Sequence, residues 1–223
     1  MPRSRRVVIP EWCYHFISRS NEKARIFHSP ADYDAFTATL AEAQEDRGVP
    51  VIAMCLMPNH VHLVVRPVSA ASLSGWAQWL FTAHTVRHHA FHGSIGHLWQ
   101  GRYKIFATQG DHHLLTVLRY VERNALRARL VSRAEDWRWS SLHWRNGGTA
   151  PIALTESPTV LPKCWTQYVN DPQTTAELEA IRSSVNRQRP FGTADWVKTA
   201  ASQLGIEQSL RSRGRPKKGS DPF

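Results

Sequence analysis

Two histidines and one tyrosine carry the sharpest chemistry in this chain. His60 and His62 lie in the run Met57-Pro58-Asn59-His60-Val61-His62-Leu63-Val64-Val65. Side chains alternate along a strand, so His60, His62 and Val64 share one face, while Val61, Leu63 and Val65 share the other and suit a packed core. Two imidazoles about 7 Å apart on one face can hold one divalent cation. The second element is the run from Leu114 to Arg127. Leu114, Leu118, Val121 and Ala125 form an apolar stripe at helical spacing, and Thr116, Tyr120, Asn124 and Arg127 form a polar stripe beside it. Tyr120 and Asn124 therefore project the same way, one turn apart. A phenol can attack phosphorus when a cation withdraws charge from the phosphate oxygens. Asn124 could give that cation an amide oxygen, and Arg123 and Arg127 could hold flanking phosphates. The phenol must lose its proton during attack. His112 and His113, one to two turns upstream, are candidates for the base or for capping the helix, and the sequence does not choose between these roles.

These groups need a scaffold. Tyr14 to Arg19 alternates as a first strand. Ser29 or Pro30 opens a helix that runs to Arg47, with Tyr33, Phe36, Leu40 and Ala43 on its apolar face and Gly48 as its stop. Val49 to Met57 reads as a strand, Pro58-Asn59 as a turn, and His60 to Arg66 as the next strand. A second helix is expected from Ser72 or Ser74 to about His89, then a loop over 91–98. Trp99 to Thr108 reads as a strand or hairpin. A third helix, capped by Gly110-Asp111, is expected over 112–128. This order predicts an α+β fold with a central antiparallel sheet and helices on one face, in the split βαβ manner. Residues 149–173, rich in Thr, Pro and Ser, read as linker. Helices are expected over 174–188 and from Thr193 to Leu204. The division expected is a domain over 1–148, a linker and helical extension over 149–205, and a basic, solvated tail over 206–223.

Composition narrows the function. The chain has 223 residues, with 28 Lys and Arg against 18 Asp and Glu, so its net charge of +10 points to a polyanionic partner, nucleic acid first. Most of the nine tryptophans lie among arginines, lysines and polar residues, where aromatic faces can stack on unpaired bases. The longest apolar run, Val51 to Met57, is far short of the roughly 20 residues that span a bilayer. Three cysteines without a CxxC predict reduced thiols and a cytoplasmic protein. Zinc hydrolases gather three strong ligands, and no acidic residue flanks His60-Val61-His62.

The motifs together resemble a family. His-Val-His on a strand followed by a helix with one tyrosine resembles the single-tyrosine HUH transposases. Met57 to Val64, Leu98-Trp99-Gln100-Gly101-Arg102-Tyr103-Lys104, Tyr120 to Ala128, Asp136 to Ser141 and Arg189-Pro190-Phe191-Gly192 resemble the REP-associated tyrosine transposases, over about residues 10–205. The resemblance implies a ferredoxin-like fold with the tyrosine helix attached. It implies that His60 and His62 ligate Mg²⁺ or Mn²⁺, that Tyr120 is the nucleophile, and that Asn124 stands where relatives often carry a glutamine ligand. It implies a DNA-associated bacterial enzyme, monomer or homodimer, that cuts repetitive extragenic palindromes as single-stranded hairpins through a 5′-phosphotyrosine. The alternative is a regulator that binds such palindromes without cutting. Arg102 and Lys104 are candidate phosphate contacts, with Arg19 and Asn21 weaker ones. Arg215, Lys217 and Lys218, in a run similar to an AT-hook core, are candidate DNA contacts in the tail.

Overall fold

Local chemistry sets the boundaries of the first elements. The computed structural model describes residues 6–211. Strand β1 covers Cys13–Arg19. Helix α1, Pro30–Arg47, opens where Ser29 and Asp32 cap each other's backbone N–H groups, with Pro30 in the first turn. It closes at Gly48, whose φ of 57° is left-handed. The apolar run forms β2, Val51–Met57, buried throughout. The Pro58-Asn59 turn reverses the chain into β3, His60–Val65.

Helix α2, Ala70–His92, starts earlier than its sequence suggests. Ser69, Ser72 and Ser74 are all capping residues. Ser69 takes the role because its hydroxyl accepts from the Ser72 N–H, and the Ser72 hydroxyl reaches back to the Ser69 N–H. The expected strand from Trp99 is also shorter. Trp99 makes only an isolated bridge to Ser20, and β4 covers Lys104–Thr108. Gly101 and Arg102 lie in a bend between them. Helix α3, His112–Glu122, breaks at Arg123, and a single turn, α4, Asn124–Arg127, follows.

The sheet is antiparallel with order β2-β3-β1-β4, the ferredoxin-like arrangement. His62 pairs with Ile17 and with Cys55, and His15 pairs with Phe106. Cross-strand partners share a face. His15, Ile17, Arg19, His60, His62, Lys104 and Phe106 therefore all lie on one side. The other side carries Phe16, Leu56, Val61 and Leu63 and packs on Phe36 and Leu40 of α1 and Trp76 and Leu80 of α2. Those two helices share a face, as expected. The tyrosine helix takes the opposite one, where Val117, Leu118 and Val121 pack on Cys55, Val64 and Phe106.

Part of the segment expected as linker is anchored to the domain before it. Ile152 is 5% exposed, and the Thr155 N–H donates to the Val51 carbonyl. Helices α5 (Ser141–Arg145), α6 (Trp165–Asn170), α7 (Thr175–Arg187) and α8 (Ala194–Gln203) follow. Helices α7 and α8 are capped by Thr174 and Thr193, whose side chains accept from the Glu177 and Trp196 N–H groups. Phe191 adds a parallel bridge to Thr108 beside the outer edge of β4. Polar composition misleads here because few apolar side chains suffice when they enter an existing core. Residues 212–223, with Arg215, Lys217 and Lys218, lie outside the described residues. No helix among the described residues is long and apolar enough to cross a membrane.

Candidate active site

The two histidines of β3 are held in different ways. His60 is half-buried and His62 is 3% exposed, with ring centroids 4.8 Å apart. The Asn59 side-chain N–H₂ donates to the Lys23 carbonyl at 2.8 Å, so its amide oxygen is the atom that faces His60 Nδ1 at 2.6 Å. An amide oxygen only accepts, so His60 Nδ1 carries the proton and Nε2 keeps its lone pair. His62 Nδ1 lies 2.9 Å from Nε2 of His15, whose ring stacks on it at 5.1 Å. Burial, with Arg19 and Arg127 nearby, holds the pKa of His60 down to about 3. Burial also sets His62 well below the usual imidazole value, aided by His60, His15, Arg127 and Arg19, and sets His15 at about 3, aided by Arg127. All three rings are neutral at neutral pH, the form that binds metals.

Tyr120 meets these rings from above the sheet. Its ring centroid is 5.8 Å from that of His62 and 5.9 Å from that of His15. The Arg127 guanidinium carbon stands 4.3 Å from the centre of the Tyr120 ring, and Arg127 Nη2 donates to Asn124 Oδ1 at 2.8 Å. The sequence places Tyr120, Asn124 and Arg127 on one stripe, and the structure keeps them together despite the break at Arg123. Three buried polar atoms around this point have no hydrogen-bond partner: His15 Nδ1, Asn124 Nδ2 and Arg127 Nη1. Each of these atoms could pair with a polar atom of a ligand.

The tyrosine helix is clamped by residues beyond it. Glu122, fully buried, accepts from Ser141 Oγ at 2.5 Å, Arg145 Nε at 3.1 Å and Trp165 Nε1 at 2.6 Å. Arg119 donates to the Asp171 and Pro172 carbonyls. Arg123, expected to hold a phosphate, instead donates to the Val169 and Asn170 carbonyls of α6. Its position at the helix break turns it toward α6 and away from the phenol stripe. Glu122→Ala is expected to cost about 3–5 kcal/mol in urea unfolding, because it leaves buried donors without their acceptor. A loss under 1 kcal/mol would show that the clamp is dispensable.

The other candidates fall in two places. Arg19 pairs with His60 and Lys104 with Ile17, so both cations lie on the histidine face at its open end. Lys104 also lines a groove of about 960 Å³ beside β4, with Arg6, Arg102, Arg187 and Arg211. Asp111 is the N-cap of α3, and His112 and His113 open its first turn. Asp111 Oδ1 accepts from both the backbone N–H and the Nδ1 of His113, at 2.8 and 2.7 Å. Asp111, His112 and His113 bring ligand atoms within 4.8 Å of one another, the one group of three such residues among those described. His15 was not recognisable as a site residue from spacing alone. Its signal is a histidine at an inward position of an otherwise apolar strand.

Comparison with known proteins places the chain in a family and gives its fold relatives. The family model described as transposase, IS200-like, matches residues 9–124, just over half of the 223-residue chain. The structure of a REP-associated tyrosine transposase bound to a REP hairpin is similar over 78% of this chain and 100% of that one, with a TM-score of 0.54 and 15% identity. A chain from Deinococcus radiodurans R1 described as a transposase is 19% identical over 55% of this chain and 96% of that one, with a TM-score of 0.39. No curated protein matches.

Proposed function

Since the chain belongs to the IS200-like transposase family, we propose that it is a metal-dependent single-stranded DNA endonuclease and strand transferase. Its substrates are hairpins of repetitive extragenic palindromes, and it acts through a 5′-phosphotyrosine. The observation that carries this reading is the approach of one phenol to two neutral imidazoles: Tyr120 lies 5.8 Å from His62 between ring centres, and His62 lies 4.8 Å from His60. The hairpin enters from the fold neighbour, which is described as bound to one.

The residues fit a divalent cation. His60 Nε2 has a fixed lone pair and His62 can present its own; Asn124 Oδ1, which accepts from Arg127, has a second lone pair to offer, and water and phosphate oxygens would supply the remaining hard donors that Mn²⁺ or Mg²⁺ requires. Such an ion supplies Lewis-acid polarisation of a phosphodiester. The chain's own residues do the rest. Arg127, through its unpartnered Nη1, donates to a non-bridging phosphate oxygen and holds the phosphorus near the phenol. The Asn124 N–H₂ is a second donor. Tyr120 Oη gives up its proton and forms the new bond to phosphorus, the P–O3′ bond breaks, and the departing 3′ oxygen takes up a proton, so that no proton is gained or lost overall. Energy is kept in the phosphotyrosine, so a 3′-hydroxyl can attack in reverse and rejoin strands. Arg19 and Lys104 line the path of the flanking strand.

His15 acts through His62. For His62 Nε2 to offer a lone pair, Nδ1–H must donate to His15 Nε2, which fixes the tautomer. His15→Phe keeps the packing and removes the acceptor. It is expected to weaken Mn²⁺ affinity about 10–100-fold in calorimetry, and unchanged affinity would remove His15 from the site.

Product analysis tests the whole reading. A hairpin oligonucleotide with Mg²⁺ or Mn²⁺ should give a protein–DNA band that survives a denaturing gel and disappears in EDTA. A free 5′-phosphate with no adduct would indicate hydrolysis instead. Retarded but uncut DNA would indicate a non-cutting regulator.

A further inference from the structure

The groove of about 960 Å³ beside β4 has a one-sided charge. Five cations line it, Arg6, Arg102, Lys104, Arg187 and Arg211, and among the described residues no aspartate or glutamate does. Four residues with amide side chains line it too, Gln100, Asn186, Gln188 and Gln208. Each amide offers donors and an acceptor. The edge of β4 adds backbone groups. Tyr103 and Ala107 turn their carbonyls outward, to Arg6 and to the Phe191 N–H, so the alternation of the strand turns the Ile105 N–H and carbonyl outward as well. The groove does not end at β4. Arg6, Arg102 and Tyr103 also line a second cleft, of about 530 Å³, with the polar stripe Ser74, Gln78, Thr82 and Thr85 of α2. No acidic residue among those described lines that cleft either.

We propose that this track is a second DNA contact, a groove that takes the unpaired strand flanking the hairpin. The proposal rests on the transposase reading for its choice of DNA over other polyanions. Three features support it. Cations spread along a continuous track suit the repeated phosphates of a polymer, whereas a small anion needs one pocket. Amides among those cations suit the edges of bases, which a strand offers when it is unpaired, while a duplex stem would offer mainly phosphates. Gln188 supplies the third. It caps α7 with a φ of 53°, a left-handed position where glycine is usual and another residue costs about 1–2 kcal/mol. Glycine there would relieve the backbone but take an amide out of the groove.

The groove stands within reach of the catalytic face. Lys104 and His62 pair with the same residue, Ile17, from opposite sides, so their backbones are two strand spacings, about 10 Å, apart. A strand whose scissile phosphate lies at Tyr120 can therefore pass Lys104 into the groove. An acidic peptide added as a further strand fits less well. Between the contacts of Arg6 and Phe191 only Ile105 offers its backbone to such a partner, which is shorter than any stable strand.

The test measures binding by fluorescence anisotropy with the full chain in EDTA, so that no strand is cut. The probes are an unstructured oligo-dT of about 12 nucleotides, a blunt hairpin, and the same hairpin carrying that oligo-dT as an unpaired extension. Arg187→Ala with Arg211→Ala should weaken oligo-dT binding at least about tenfold and lower the slope of log affinity against log salt by about 1.4, since two phosphate contacts are lost. Gln188→Gly should keep or raise the melting temperature, because it relieves the left-handed backbone, yet weaken oligo-dT binding about fivefold, the worth of one hydrogen bond. The extended hairpin should follow oligo-dT, and the blunt hairpin should stay within about twofold of the parent. Oligo-dT affinity and salt slope unchanged in the arginine variant would overturn the proposal. Equal losses for the blunt hairpin would overturn it too, because the surface would then hold duplex phosphates. Oligo-dT binding that falls in these variants while neither hairpin binds the parent would uphold the groove and sink the palindrome reading, which tells the two failures apart.

Discussion

Tyr120→Phe is expected to eliminate the covalent protein–DNA adduct and to lower strand cleavage by at least about 10⁴-fold. The substitution removes one oxygen and little else. The Tyr120 hydroxyl makes no hydrogen bond to any described residue, and the ring is 6% exposed, so phenylalanine keeps the packing on His62 and His15 and the face under Arg127. The melting temperature should therefore stay within a few degrees of the parent. No other tyrosine is placed to substitute. Tyr14 lies on the opposite sheet face, donates to the Ile9 carbonyl, and has its pKa pushed up to about 12 by burial. Tyr33 is stacked on Trp139 in α1, and burial likewise raises it to about 12. Among the described residues, Tyr120 alone brings a phenol ring against the histidines of the sheet. An adduct of undiminished yield from the phenylalanine variant would place the nucleophile elsewhere.

The next largest effect is expected from the imidazoles. His60→Ala should weaken Mn²⁺ binding at least about 100-fold, and cleavage should fall in parallel, because one of few strong donors is lost. His60 is the cleaner of the two positions. It is half-buried and its one side-chain partner is Asn59, so its removal leaves little exposed damage. His62→Ala should abolish metal binding as well, but it also strips His15 of its partner inside the protein, at about 1–3 kcal/mol of stability. Hairpin affinity in EDTA should persist in both variants, since Arg19, Lys104 and Arg127 are untouched. The checks are calorimetric titration with Mn²⁺, single-turnover cleavage and a gel shift. Mn²⁺ affinity within twofold of the parent in His60→Ala would contradict the assignment.

Much of this was legible wherever a short-range rule decides the outcome. Ser29-Pro30 with Asp32, and Gly48, mark both ends of α1 by local capping alone. The alternation around His60-Val61-His62 fixes which side chains face the site, and the stripe of Thr116, Tyr120, Asn124 and Arg127 survives into the structure. Long-range pairings were not legible. Ser72 or Ser74 could each begin α2, and the reciprocal cap between Ser69 and Ser72 starts it earlier. The contact of His15 with His62 depends on strand order, because residues 47 apart meet across β1 and β3. The clamp on α3 is hidden for the same reason. Nothing in its local spacing marks Glu122, whose partners Ser141, Arg145 and Trp165 come from elements that follow α3 in the chain. Arg123 reads as a phosphate ligand until the break after α3 turns it to α6. The segment 149–173 is polar in sequence, and only a few of its side chains, Ile152 and Trp165 among them, are buried.

The central claim is that one phenol becomes esterified to DNA beside a histidine-held cation. The most direct measurement labels a palindromic hairpin oligonucleotide at its 3′ end, incubates it with the protein and Mn²⁺, digests with trypsin and sequences the DNA-bearing peptide by mass spectrometry. The account predicts label on the fragment Tyr120-Val121-Glu122-Arg123, joined through the tyrosine oxygen to a 5′-phosphate, and none when EDTA replaces the metal. Label on another residue, or recovered only as DNA ending in an unattached 5′-phosphate, would contradict it.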